Sequence, residues 1–170
     1  DGYLMDHNAP HVIKTKLLEE GIHLKKGDHA NVYNYDKQTL EQVELPDDLD
    51  FDVDSFNRKV VNESFNRIVC QELVKQLDPT DRDLGKTLIF ATRDDHADMI
   101  VRLLKEEFAK AGRPVGANVI MKITGQDRHR EDHIREFKNE EFPNIVVTVD
   151  LLTTGIDVPS IANLVFLRRV

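Results

Sequence analysis

The sequence predicts an α/β fold: a parallel sheet with helices on both faces, preceded by a small β-hairpin and helical connector. Three observations carry this. Residues 86–167 alternate short β-branched runs with helix-length amphipathic stretches, an order that requires parallel strands joined by crossovers. Ile145 to Val149 is apolar without alternation, so both faces of that strand are expected to be covered. Each run also ends in short polar residues or glycine, and in open α/β sheets that carboxyl edge is where ligands bind.

Taken in order, residues 1–80 and 81–170 read differently. His11 to Leu17 alternates apolar and polar residues and suggests a short strand. Val32, Tyr33 and Tyr35, a turn at Asp36-Lys37, and a return over Thr39 to Leu45 predict a hairpin. Pro46 to Asp54 is acidic and reads as a loop. Its Asp50-Phe-Asp-Val-Asp54 spacing resembles a calcium loop, but Ser55 and Val61 stand where glycine and glutamate are needed. From Ser55 to Leu77 the apolar residues follow helical spacing, with a possible break at Asn62 and a stop at Asp78-Pro79.

The second part is cleaner. Lys86 to Ala91 predicts a buried strand, and Thr92-Arg93-Asp94-Asp95 offers helix-capping chemistry. Ala97, Ile100, Val101, Leu104 and Phe108 form one apolar helical stripe, ended by Gly112 and Pro114. Val119 to Ile123 is the next strand, then Thr124-Gly125 and a helix from about Asp127 to Asn139. Strands at Ile145–Val149 and Asn163–Leu167 enclose the polar turn from Thr148 to Asp157. The three polar switches therefore converge on one edge.

Composition excludes several classes. The 170 residues are 40% hydrophobic and 32% charged, as in ordinary globular proteins, and no run approaches the ~18–20 apolar residues of a bilayer span. Without a signal peptide or an initiator Met, the chain is expected to be a cytoplasmic piece of something larger. The net charge of −8 argues against a strong free-standing nucleic-acid binder, because that affinity comes from neutralising phosphates. Local phosphate contacts through backbone N–H groups remain compatible with it. Cys70, the single cysteine, reads as a small buried apolar residue rather than a nucleophile.

The edge suits a phosphate-rich ligand, yet there is no Gly-rich phosphate loop and no Asp-Glu pair placed to hold magnesium. The chain could supply only half of a phosphoryl-transfer site. Blander roles stand beside this one. Thr148 could simply end a strand, Asp150 could cap a helix, Gly155 could serve a tight turn, and Arg130 could be solvated. His129 and His133 have a metal-compatible spacing but no third ligand, and are expected to be exposed, as is His96 beside Asp95 and Asp98.

Thr87-Leu-Ile-Phe-Ala-Thr-Arg93, Ile123-Thr-Gly125 with Arg130 and Phe137 beyond it, and Val147-Thr-Val-Asp-Leu-Leu-Thr-Thr-Gly-Ile-Asp157 together resemble the second RecA-like domain of superfamily 2 helicases and translocases. With Val158-Pro-Ser-Ile161 and Asn163-Leu-Val-Phe-Leu-Arg-Arg-Val170 added, the pattern is specifically similar to the motor (R) subunit of type I restriction endonucleases. The resemblance implies that Thr92 and Arg93 lie near the DNA backbone and that Thr124 and Gly125 start the helix facing the phosphates, with Arg130 on its first turns. It implies DNA-side roles for Thr148, Asp150 and Thr153, while Gly155 and Asp157 would face the nucleotide. ATP and magnesium would be held mainly by a first motor lobe outside this chain, and the sixth motif with its arginine finger would lie beyond Val170. The implied partners are double-stranded DNA, the first lobe and nuclease domain of the same subunit, and the specificity and methylation subunits. Alone, the chain is expected to be inactive. Thr154 stands where related RNA helicases carry arginine, which favours DNA. The rivals are another superfamily 2 DNA or RNA helicase, or a non-catalytic α/β interaction domain.

Overall fold

The structure, a computed structural model, describes the backbone of residues 22–24, 29–34, 39–44 and 49–51, and then residues 63–150 and 158–167. Two antiparallel pairs come first. β1 (Ile22–Leu24) pairs with β4 (Leu49–Phe51), and β2 (His29–Asn34) pairs with β3 (Thr39–Glu44). The β2–β3 pair is the expected hairpin. The β1–β4 pair corrects the sequence reading, which took Pro46 to Asp54 for loop throughout: three-residue strands are too short to show a period of two. The strand expected at His11–Leu17 and the first part of the helix expected from Ser55 lie outside the described residues.

The principal sheet is wholly parallel, in the order β6-β7-β5-β8. Its strands are β5 (Lys86–Phe90), β6 (Ile120–Lys122), β7 (Ile145–Thr148) and β8 (Ile161–Phe166). Among the described residues, three α-helices accompany it: α1 (Glu63–Gln76), α2 (Asp94–Lys110) and α3 (Arg130–Asn139). α2 begins where Thr92 and Arg93 leave β5, and it ends at Gly112, whose φ of +74° suits glycine after a helix.

Strand alternation divides the core into two layers. Ile89 and Ala91 of the β5 region and Ile145 and Val147 of β7 pack with Phe65, Val69 and Leu73 of α1 and Ile100, Leu104 and Phe108 of α2. Leu88, Phe90 and Val146 face the other way, onto Phe137 of α3, Ile123 and Val158. Both faces of β5 and β7 are thus covered, as the uninterrupted apolar runs require. Complete burial of a side chain such as Phe137 contributes roughly 2–3 kcal/mol.

β8 is different. Its residues alternate half-buried and exposed, with Val165 inward on the α1–α2 side and Leu164 and Phe166 still 57% and 45% exposed. Phe166 stacks on Phe90 of the neighbouring strand at a centroid distance of 5.0 Å. Where β8 joins β5, Lys86 pairs with Ile161 but Thr87 with Asn163, leaving Ala162 as an extra residue. Gly85, at φ +67°, lies against this bulge: a Cβ there would stand 2.6 Å from the Ala162 Cβ.

Candidate nucleotide and nucleic-acid edge

A parallel sheet sends every strand end the same way, so the segments after β5, β6 and β7 share one edge. The structure ties the first two together directly. Thr124, at the end of the β6 run, donates its hydroxyl to Asp94 Oδ1 at 2.6 Å. Lys122 donates to Asp94 and to Asp98 at 2.8 Å each. Burial disfavours the Asp94 anion, but the hydrogen bonds from Lys122 and Thr124 outweigh it and hold the carboxyl below its ordinary range. Asp94, expected only as part of the capping segment of α2, is thus a fastener between two motifs.

Arg93 occupies the N-cap of α2 in extended geometry, without a side-chain capping bond. Its guanidinium instead grips Asp95, with Nε and a terminal nitrogen 3.0 and 3.1 Å from the two carboxylate oxygens. The expected side-chain cap is therefore not what starts α2. Thr124 is buried with its hydroxyl committed to Asp94. Gly125 next to it is exposed, and a Cβ there would have nothing within 4 Å.

Helix α3 does not begin at Gly125, nor at Asp127 as expected, but at Arg130. The intervening turn is held by Asp127. Its backbone N–H donates to the Thr124 carbonyl, and its carboxylate accepts from the His129 N–H at 2.9 Å and pairs with His133 Nδ1 at 2.6 Å. A side chain that bonds its own following backbone favours a turn over helix. His133 is accordingly half-buried and partnered rather than freely exposed, whereas His129 is exposed. Among the described residues, no three His, Cys, Asp or Glu side chains gather as metal ligands.

Among the described residues, two buried polar atoms at this edge have no hydrogen-bond partner: the Thr148 hydroxyl and the Arg130 Nε. Thr148 ends β7 and is fully buried, while Asp150 just beyond it is exposed. Buried polar groups are nearly always satisfied, so an orphan calls for an explanation. Both atoms can donate, and a phosphate oxygen accepts from either. Thr153, Gly155 and Asp157 lie outside the described residues, as do Arg168 and Arg169.

His96 is the clearest departure from the sequence reading. It is completely buried, not exposed. Its Nδ1 accepts the Thr92 backbone N–H at 3.2 Å and lies 2.9 Å from the Thr92 hydroxyl, and its Nε2 lies 3.0 Å from Asn66 Oδ1 on α1. An acceptor Nδ1 places the proton on Nε2, so the ring is neutral and donates to Asn66. Burial pushes its pKa down to about 4. The flanking acidic residues hid this, because Asp95 and Asp98 lie on the more exposed side of the same helix. Cys70 is buried as expected, and desolvation drives its thiol up to about 12, which leaves it unreactive near neutral pH. A groove of about 210 Å³ lined by Asp78, Pro79, Thr80 and Arg113 lies where α1 and α2 end, away from this edge.

A four-stranded parallel sheet covered by helices, with its polar turns gathered at the carboxyl edge, is the architecture of a RecA-like motor lobe. Residues 65–169 match the model of the helicase conserved C-terminal domain, and the chain belongs to that family. It is 44% identical over 174 aligned residues to the type I restriction enzyme EcoKI endonuclease subunit of Escherichia coli (strain K12). That alignment covers all of this chain and 15% of the relative. A fragment structure assigned to an HsdR subunit of a type I restriction enzyme from Vibrio vulnificus YJ016 superposes with a TM-score of 0.53 at 27% identity, covering 64% of this chain and 21% of that one. The resemblance to type I motor subunits read from the motifs therefore extends across the chain, which spans less than a quarter of either relative.

Proposed function

We propose that the chain is the second motor lobe of an ATP-dependent double-stranded DNA translocase of a type I restriction enzyme, in which translocation precedes cutting by a separate nuclease domain. The single observation that carries this is the convergence of Thr92–Arg93, Thr124–Gly125 and Thr148 at one sheet edge, with Asp94 bonded to Thr124 and the Thr148 hydroxyl and Arg130 Nε without a partner among the described residues. An orphaned hydroxyl and an orphaned guanidinium N–H suit phosphate oxygens, and the open space at Gly125 admits a backbone to close range.

In this reading the first motor lobe of the same subunit holds most of the nucleotide and its magnesium. When bound, ATP supplies the free energy that shifts the two lobes between closed and open arrangements. This lobe's residues bind and orient. Thr92, Arg93, Gly125 and Arg130 meet the DNA backbone, Thr148, Asp150 and Thr153 line the DNA side of the turn after β7, and Thr124 sets Gly125 through Asp94. Gly155 and Asp157 face the nucleotide. The specificity and methylation subunits complete the assembly, and its setting is the cytoplasm.

The test is Asp157→Ala in the full subunit. We expect ATP-driven translocation on duplex DNA to be abolished while the lobe keeps its fold by circular dichroism. Normal translocation by that variant would defeat the assignment.

A further inference from the structure

Thr92 and Arg93 have to stand in a defined place if they are to meet a phosphate backbone, yet they lie on a turn between β5 and α2. Thr92 is held there by a side chain four residues on. The His96 ring is wholly buried and spans two elements: Nδ1 takes the Thr92 N–H and lies beside its hydroxyl, and Nε2 faces Asn66 Oδ1, which is itself completely buried on α1. Residues 66 and 96 are far apart in sequence, so this is a tertiary link. Polar bridges in a dry core are costly unless fully paired, and a leucine or methionine at position 96 could have filled the same volume without that requirement. The arrangement has two separable ends. One fixes the turn and the other fixes α1.

We propose that His96 is a positioning residue for this edge: its imidazole accepts the Thr92 N–H and lies against the Thr92 hydroxyl, and this end of the ring sets where the Thr92–Arg93 turn meets DNA, while the Asn66 end fastens α1. The proposal rests on the translocase reading. Being neutral, the ring keeps Nδ1 as an acceptor across the working pH range, consistent with its depressed basicity.

Two substitutions separate the two ends. In His96→Asn the amide oxygen can occupy the place of Nδ1 and still accept from Thr92, while contact with Asn66 is lost. In His96→Gln the amide nitrogen reaches the place of Nε2 and keeps Asn66, while the acceptor for Thr92 is lost. Both are to be made in the full subunit and assayed for DNA-stimulated ATP hydrolysis against DNA concentration, with peptide-resolved hydrogen exchange over residues 90–96 as a direct readout of the turn. We expect the half-saturating DNA concentration to rise roughly tenfold in His96→Gln, about the worth of one hydrogen bond to a charged group, with faster exchange over the turn. His96→Asn should stay close to wild type in both readouts. Equal effects in the two variants, or the opposite ranking, would overturn the proposal and leave His96 a core fastener only. If the wild-type subunit shows no DNA-stimulated turnover, the translocase reading itself has failed, and this proposal with it.

Discussion

At the scale of single residues, the informative atoms are those whose bonding does not close. Thr148 is fully buried, its hydroxyl without a partner among the described residues, and a desolvated hydroxyl without a partner costs ~1–3 kcal/mol. A purely structural protein gains nothing from keeping it. Thr148→Val, which preserves the shape, is therefore expected to leave the lobe at least as stable, by about 1 kcal/mol if the penalty is relieved, while weakening DNA-stimulated ATP turnover of the full subunit. Thermal melts and turnover measured together check this; loss of stability with activity unchanged would mark Thr148 as a packing residue. The two described glycines with positive φ make a second contrast. Gly112 has open space around a prospective Cβ, so Gly112→Ala should cost only the left-handed backbone penalty of about 1 kcal/mol. At Gly85 the same substitution also drives a Cβ to 2.6 Å from Ala162, and chemical denaturation should show it costing about 2–4 kcal/mol.

At the scale of elements, the seam between α1 and α2 joins the segment ahead of the sheet to the sheet itself. Beneath the apolar contacts of Phe65, Val69 and Leu73 runs a charged network. Arg67 donates to Glu63, Glu106 and Glu107 at 2.8 Å each, Arg102 links Glu63 and Glu106, and Gln71 and Lys110 also reach Glu107. Isolated surface pairs contribute little, but Glu107 is only 5% exposed. The hydrogen bond from Lys110, opposed by burial and joined by those from Arg67 and Gln71, brings its carboxyl down from the ordinary 4.5 to about 2. A carboxylate with a depressed folded-state pKa adds stability that is fully present above its unfolded value and is lost as pH falls through the folded one. The wild-type lobe should therefore lose stability between about pH 4.5 and pH 2 more steeply than Glu107→Gln does. Parallel unfolding curves across that window would show that Glu107 contributes nothing through its charge.

At the scale of the whole molecule, a lobe is half of a machine. The sequence contains no Gly-rich phosphate loop, and the cationic groups described at the edge are largely engaged with carboxylates: Arg93 with Asp95, Lys122 with Asp94 and Asp98. With a net charge of −8, the isolated chain is expected to release no phosphate from ATP above background, with or without DNA. Turnover by the purified 170-residue chain would contradict the division of labour proposed between two lobes. The exposed Leu164 and Phe166 on β8 show that the second face of the sheet is not covered to its margin by the described residues.

Much of this was readable in the chain alone. The strand-length runs without polar alternation at Thr87–Phe90 and Ile145–Thr148 mark strands buried on both sides, because only a sheet sandwiched by helices spares neither face. Their alternation with amphipathic helices dictates that polar turns share one edge, and the ordered motifs at that edge identify the family. The sequence could not show which polar side chains are spent on one another there. Asp94 looked like a helix cap and fastens Thr124; His96 looked solvated and bridges Thr92 to Asn66; Asp127 looked like the start of a helix and closes the turn before it. Periodicity reports which face of an element is apolar, and that is local. The partner of a polar atom is chosen by what the fold brings within about 3 Å of it, and contacts such as Asn66 with His96 exist only once the chain has packed.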